Sequence, residues 1–310
     1  MIGIFVSIAP VFLLIVLGHV LRRNGIPNVE FWNLNDKLVY WVLFPCLLFY
    51  KTSTLDLDLS SAAAFAGTVL AGFAAAAVAS LMIARFAGMA NPVASSVLQG
   101  GARHNTFVAL AIAERVYGVD GLTIAALATA ALIPVTNISM VTAMVALHGD
   151  RRGGGFVLPI LRDLGRNPLL VSVVLGLAYN LTGAGEVPVL HDTLNLLGAA
   201  ALPIVLLCVG ANIRLQGLQA SVLPTVVSVV GKLVVFPATI LVAALALDLT
   251  MLETLVALVF GAVPTAASSY TLARQMGGDA PLMAAIITIQ TAVSFITLPV
   301  TLTLAERFLS

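Results

Sequence analysis

Arg103, His104, Asn105 and Thr106 stand side by side in the middle of an otherwise apolar run, N-P-V-A-S-S-V-L-Q-G-G-A-R-H-N-T-F-V-A-L-A-I-A. Polar and charged groups at that depth in a membrane helix are costly unless they are used or paired. Arg103 is a fixed positive charge, and no Asp or Glu stands in the middle of any apolar run to neutralise it. The chemistry that fits best is recognition of an anion such as a carboxylate. The competing use for the guanidinium is to bond the carbonyls that end the first half of the helix. A histidine's ordinary pKa lies near neutrality, so His104 is either a proton carrier or a neutral packing residue. Asn105 is a good N-cap for a second half-helix, with Thr106 beside it. Gly100 and Gly101 can close the first half-helix, because glycine accepts left-handed geometry just past a helix end.

A second break lies in L-V-A-L-V-F-G-A-V-P-T-A-A-S-S-Y-T-L-A-R. Pro264 has no N–H to donate and interrupts a helix. It suits the first position of a new half-helix, with Gly261 available to end the one before. Thr265 and Ser268 follow it and join the candidate binding residues. Lys232, in V-V-G-K-L-V-V-F-P, is the other unexpected charge. It is either a charge-compensating ammonium that changes state as substrate moves or a pin on the carbonyls of a broken helix. Asn137 and Asn212, with Gln290, Thr291 and Ser294, can line the same cavity, although polar residues that pack helices look much the same. There is no H-E-x-x-H and no acidic cluster suited to a metal. No catalytic residue, metal or cofactor is expected, and the chain reads as no enzyme.

The elements that position these residues are membrane helices. Charged residues make up 9% and hydrophobic residues 60% of the 310, with a mean hydropathy of +1.07. A soluble domain is about one quarter charged. The net charge of +1 gives no hint of nucleic acid. Cys46 and Cys208 both fall in apolar runs and read as buried thiols rather than a disulfide. Residues 3–21 lack a basic flank before them and read as a retained first span rather than a signal peptide.

About 20 apolar residues cross a bilayer. Candidate spans are 3–21, 36–52, 61–84, 92–115, 120–147, 166–182, 194–212, 222–247, 252–274 and 281–305. The two halves repeat one another. Pro10, Gly18, Gly25, Pro45 and Leu57 meet Pro168, Gly176, Gly183, Pro203 and Leu215 at an offset of 158. Arg115 and Asp120 meet Arg274 and Asp279 at an offset of 159, which also lays Asn105 on Pro264 and Thr106 on Thr265. The reading is two five-helix repeats, 1–150 and 151–310, in one domain. An odd number of spans per repeat turns the second half upside down, and inverted repeats place a substrate site near the midplane at broken helices. Loops after odd-numbered spans hold ten Lys or Arg and loops after even-numbered spans only Lys51 and Arg115. That asymmetry puts the odd loops in the cytoplasm and both termini on the other side. The expected location is the inner, cytoplasmic membrane.

F-P-C-L-L-F in the second span, Q-G-G-A-R-H-N-T-F-V-A-L in the fourth, K-L-V-V-F-P in the eighth and V-P-T-A-A-S-S-Y-T-L-A-R in the ninth together resemble the auxin efflux carrier family, which includes bacterial malonate-type organic-acid carriers and the plant PIN-like proteins. The resemblance runs the length of the chain. It implies an all-α membrane fold of ten helices with crossover helices 4 and 9, like that of sodium/proton antiporters and bile-acid carriers. It also implies a scaffold from spans 1, 2, 6 and 7, a transport unit from spans 3–5 and 8–10, and a homodimer. One departure stands out: plant members carry proline in the fourth-span crossover region, where this chain has Gly100-Gly101 and Arg103-His104. Together with the lack of a long central hydrophilic loop, this points to an organic acid smaller than auxin.

The expected function is an elevator-type secondary carrier that exports small organic anions, with the bilayer and its substrate as partners and with Na+ or H+ coupling left open. A sodium-coupled bile-acid-type symporter on the same fold is the alternative within transport. A membrane sensor without flux is the alternative outside it.

Overall fold

The computed structural model describes residues 2–55, 59–148, 162, 165–214 and 222–309. The expected boundary between the halves at residues 150 and 151 lies outside the described residues. So do Leu57, Leu215 and the charges at Asp56, Asp58, Arg151 and Arg152. Among the described residues every regular element is helical. In chain order these are α1 (Ile2–Arg23), α2 (Val29–Leu38), a π turn (Val39–Leu43), α3 (Phe44–Ser53), α4 (Leu59–Phe86), α5 (Asn91–Ala102) and α6 (Thr106–His148). Then come α7 (Pro168–Asn180), α8 (Leu190–Ala211), α9 (Val222–Val230), a second π turn (Gly231–Val235), α10 (Phe236–Ala246), α11 (Met251–Ala262), α12 (Ser268–Met276) and α13 (Ala280–Leu309).

Six helical runs are long and apolar enough to cross a membrane: Gly3–Arg23, Ala62–Phe86, Asn91–His148, Leu190–Ala211, Val222–Ala246 and Ala280–Leu309. Pro168–Asn180 and Met251–Ala262 are apolar but shorter. The run Asn91–His148 is not one rod. It is interrupted after Ala102, and Gly118, at φ 68 and ψ −152, breaks α6 in two. Only glycine takes that backbone geometry without strain.

Both π turns stand immediately before a Phe-Pro pair, Phe44-Pro45 and Phe236-Pro237. A helical proline clashes with the carbonyl four residues back, here that of Trp41 or Leu233. The wider turn makes room for the ring and keeps the helix running.

Glycines set the closest helix contacts. A Cβ on Gly18 of α1 would collide with the backbone of Leu207 in α8, and one on Gly210 of α8 with that of Ile15 in α1. On α7, Gly176 lies as tightly against Thr52 and the Phe49 carbonyl of α3. Small residues at such crossings let backbones approach where no water is available to drive helices together. The offset of 158 relates Gly18 to Gly176 and Phe49 to Leu207, so α1 sits on α8 as α7 sits on α3.

One apolar core joins both halves, built on the fully buried rings of Phe44, Phe65, Phe236 and Phe260. Phe44 of α3 meets Phe107 at the start of α6 with ring centroids 4.6 Å apart. The cysteines are free thiols: Cys208 is buried as expected, whereas Cys46 is only half-buried.

Candidate functional site

Two helices stop inside the protein and their extended connections pass one another. α5 ends at Ala102, and Arg103 leaves it in extended geometry, φ −71 and ψ 136. α11 ends at Ala262, and Val263 does the same, φ −72 and ψ 155. At the crossing the Asn105 N–H donates to the Pro264 carbonyl at 2.9 Å. The Asn105 Oδ1 accepts from the Val108 N–H at 3.2 Å, which makes Asn105 the cap of α6. Interrupted helices leave amides and carbonyls without partners, and such groups are tolerated at membrane depth only against protein or a water-filled cavity.

The glycines act differently from the sequence reading. Gly100 and Gly101 do not close α5 with a left-handed residue; both are helical and the helix runs on through Ala102. Their value is proximity. A Cβ on Gly101 would strike Ser80 of α4, and one on Gly100 would lie 2.7 Å from Ile286 and 3.0 Å from Ser228. Gly261 is likewise helical, and a Cβ added to it would lie 3.0 Å from Pro237 and from Ile240. Pro264 does not open a helix either. It lies in the extended stretch, and α12 begins at Ser268.

Beside the first connection lies a cavity of about 520 Å³. Arg103, His104, Asn105 and Thr106 form one wall, Thr136 and Asn137 of α6 another, and Ser268 and Tyr270 of α12 a third. Asn212 at the end of α8 and residues of α2 and the first π turn complete it. The Arg103 Nη2 donates to the Asn137 Oδ1 at 3.1 Å. A guanidinium has five N–H donors and no acceptor, and among the described residues no carboxylate pairs with this one. The His104 Nδ1 and the Thr136 Oγ1 are both sealed from solvent without a partner among the described residues. The His104 ring leans on Phe260, centroids 5.6 Å apart. Asn212 is already engaged: its Nδ2 donates to the Asp36 Oδ2 at 2.9 Å.

Pro264, Thr265 and Lys232 do not line the cavity. Thr265 is fully buried; its N–H donates to the Gln290 Oε1 at 2.9 Å and its hydroxyl to the Gly100 carbonyl at 2.8 Å. The Gln290 Nε2 donates to the same Gly100 carbonyl at 2.8 Å and to that of Ser228 at 3.1 Å. Lys232, also fully buried, donates from Nζ to the Phe260 carbonyl at 2.7 Å and the Gly261 carbonyl at 2.9 Å. These two carbonyls belong to the last turn of the broken helix α11.

Sequence reasoning missed the rim. Lys37 and Arg214 were counted as loop charges, and Asp36 as the start of a span, yet all three line the cavity. The Arg214 guanidinium stacks 4.3 Å from the centroid of the Tyr270 ring, and the Arg214 carbonyl accepts from the Thr288 hydroxyl at 2.9 Å. Among the described residues the cavity thus has one basic group at its wall, Arg103, and two at its rim, Lys37 and Arg214, against one acid, Asp36. Its field favours an anion.

Among known proteins, the family model for membrane transport proteins matches residues 156–302, which takes in α7 through most of α13. No curated protein matches the chain.

Proposed function

We propose, from the premise that this chain belongs with the auxin efflux carriers among the membrane transport proteins, as the match over residues 156–302 and the motifs indicate, that it is a secondary carrier of small organic anions. The carried species is a carboxylate, bound beside the crossing of the two broken helices. The observation that carries the reading is Arg103: a guanidinium at mid-span, facing a cavity, paired with the neutral Asn137 and, among the described residues, with no carboxylate. A charge so placed has its free energy recovered when an anion arrives.

The first turn of α6 adds to it. Helix N-termini present unpaired amides and a positive dipole end, and this one opens at Thr106 against the cavity. In this reading Arg103 and Thr106 meet the carboxylate, Asn137 holds Arg103, and His104, Asn105, Asn212 and Ser268 shape the remainder. Pro264 and Thr265 contribute by setting the backbone of the crossing. Neither touches substrate.

In this reading the chain crosses the membrane ten times, as two inverted repeats. Helices overlie each of the ten apolar intervals. The paired contacts of Gly18 and Gly176 at one offset support the repeat. A scaffold of spans 1, 2, 6 and 7 then carries a transport unit of spans 3–5 and 8–10 by an elevator motion. The basic loops face the cytoplasm, both termini face away from it, the membrane is the inner one and the carrier is a homodimer.

Charge movement across proteoliposomes on a solid-supported membrane, challenged with a panel of carboxylates, tests the reading. An anion-dependent current sustains it. Binding without current or flux leaves a sensor instead.

A further inference from the structure

We propose that Lys232 is a built-in counter-cation, standing where a coupling ion would bind, so that this carrier runs without sodium; the inference rests on the carrier reading above. A helix that ends inside a protein presents its last carbonyls and the negative end of its dipole. In discontinuous carrier helices such C-terminal ends, with unwound carbonyls, are the places that coordinate the coupling Na+ or H+.

Here α11 ends at Ala262, and its Phe260 and Gly261 carbonyls already hold the Lys232 Nζ at 2.7 and 2.9 Å. The same Nζ lies 4.0 Å from the centroid of the Phe236 ring, a further favourable contact for a cation. Lys232 has no exposed surface. It projects from the π turn Gly231–Val235, which enters the crossing beside α5: Gly231 lies within 3.2 Å of the Gly101 Cα measured from an added Cβ. An ammonium is a compact point charge with three donors and no acceptor, so it fills an oxygen cage as a metal ion would, but on a tether.

The other broken end is closed as well. The Gly100 carbonyl accepts from Thr265 and from Gln290, both neutral donors. Both donors point hydrogens at the oxygen a metal would need. Neither half-helix therefore offers these carbonyls to a free cation, and the positive charge that sodium supplies in a coupled carrier is here part of the chain.

The test uses the full-length protein in two arms. In the first, wild-type thermal stability in detergent and carboxylate current in proteoliposomes are measured in sodium and in N-methylglucamine. Equal melting temperatures and equal currents are expected; a current or a melting temperature that requires sodium overturns the proposal without any variant. In the second, Lys232→Ala is assayed with N-methylglucamine, sodium and methylammonium. The expected result is a loss of at least tenfold in current in N-methylglucamine, with current and melting temperature both raised by a small cation that fills the vacated space. A folded Lys232→Ala that ignores every small cation shows a mere pin and overturns it. If the wild type gives no current with any anion, the carrier reading has failed instead, while the melting response of Lys232→Ala still reports on the cation place.

Discussion

The two crossovers share a backbone and divide the chemistry. At an offset of 159, Arg103, His104, Asn105 and Thr106 correspond to Ala262, Val263, Pro264 and Thr265. Both stretches leave a helix in extended geometry and meet at one N–H to carbonyl bond. The first is polar and faces the cavity. The second is apolar apart from Thr265, fully packed and braced from behind by Lys232 and Gln290. Thr106 and Thr265 make the point most directly: one opens a helix against the cavity, whereas the other spends its hydroxyl on the Gly100 carbonyl. The geometry occurs twice, and in the function proposed above only the first crossover recognises a ligand. The other is free to become the strut that holds the first in place.

That division predicts distinct failures. Arg103→Ala removes the charge at the binding wall and is expected to lower anion current by about 100-fold at limiting substrate, in line with the ~1.5–3 kcal/mol of a charge-assisted bond. Helical content by circular dichroism stays at the wild-type value; an unchanged current removes Arg103 from the site. Gln290→Leu acts on the strut. It leaves the Thr265 N–H and the Ser228 carbonyl without this partner and is expected to cost about 2–3 kcal/mol of stability, seen as a lower melting temperature with substrate affinity retained in the folded fraction. An affinity loss as large as that of Arg103→Ala would make the second crossover a binding element and dissolve the contrast.

Asn105→Ala sits between the two cases. It deletes the cap of α6, worth ~1 kcal/mol, and is expected to lower both current and melting temperature modestly. Pro264→Ala is expected to do least, because the carbonyl that Asn105 uses remains and the side chain touches no cavity. A fall in current beyond about threefold, some 0.7 kcal/mol, would show that the rigid ring itself is needed at the crossing.

Much of the frame was legible from residue types. Asn105 has the side chain a cap requires, and it does cap α6. The polar interruption at 103–106 and the proline at 264 mark where the helices stop, because hydrophobic periodicity and backbone donors are local properties. The roles of glycine were not legible. Gly100, Gly101 and Gly261 look like helix terminators in a sequence, but what demands them is a neighbour pressed against each, Ser228, Ser80 and Pro237 respectively. Those neighbours lie 21 to 128 positions away along the chain. The rim of the cavity was hidden for the same reason. Asp36 with Lys37, Arg214 and Tyr270 come from three separate stretches of sequence, and nothing local in any of them announces the other two. Lys232 was visible as an anomaly, but which carbonyls it would reach depends on where α11 ends in space.

Arg103 and Lys232 are held by neutral partners, an amide in one case and two carbonyls in the other. A charge that makes a full traverse of the membrane field exchanges about 2.3 kcal/mol per 100 mV with it. In the carrier proposed above, a bound monovalent carboxylate lowers the charge of the moving part by one. An interior-negative voltage then favours the outward position more for the loaded form than for the empty one, so the voltage itself biases the direction of transport.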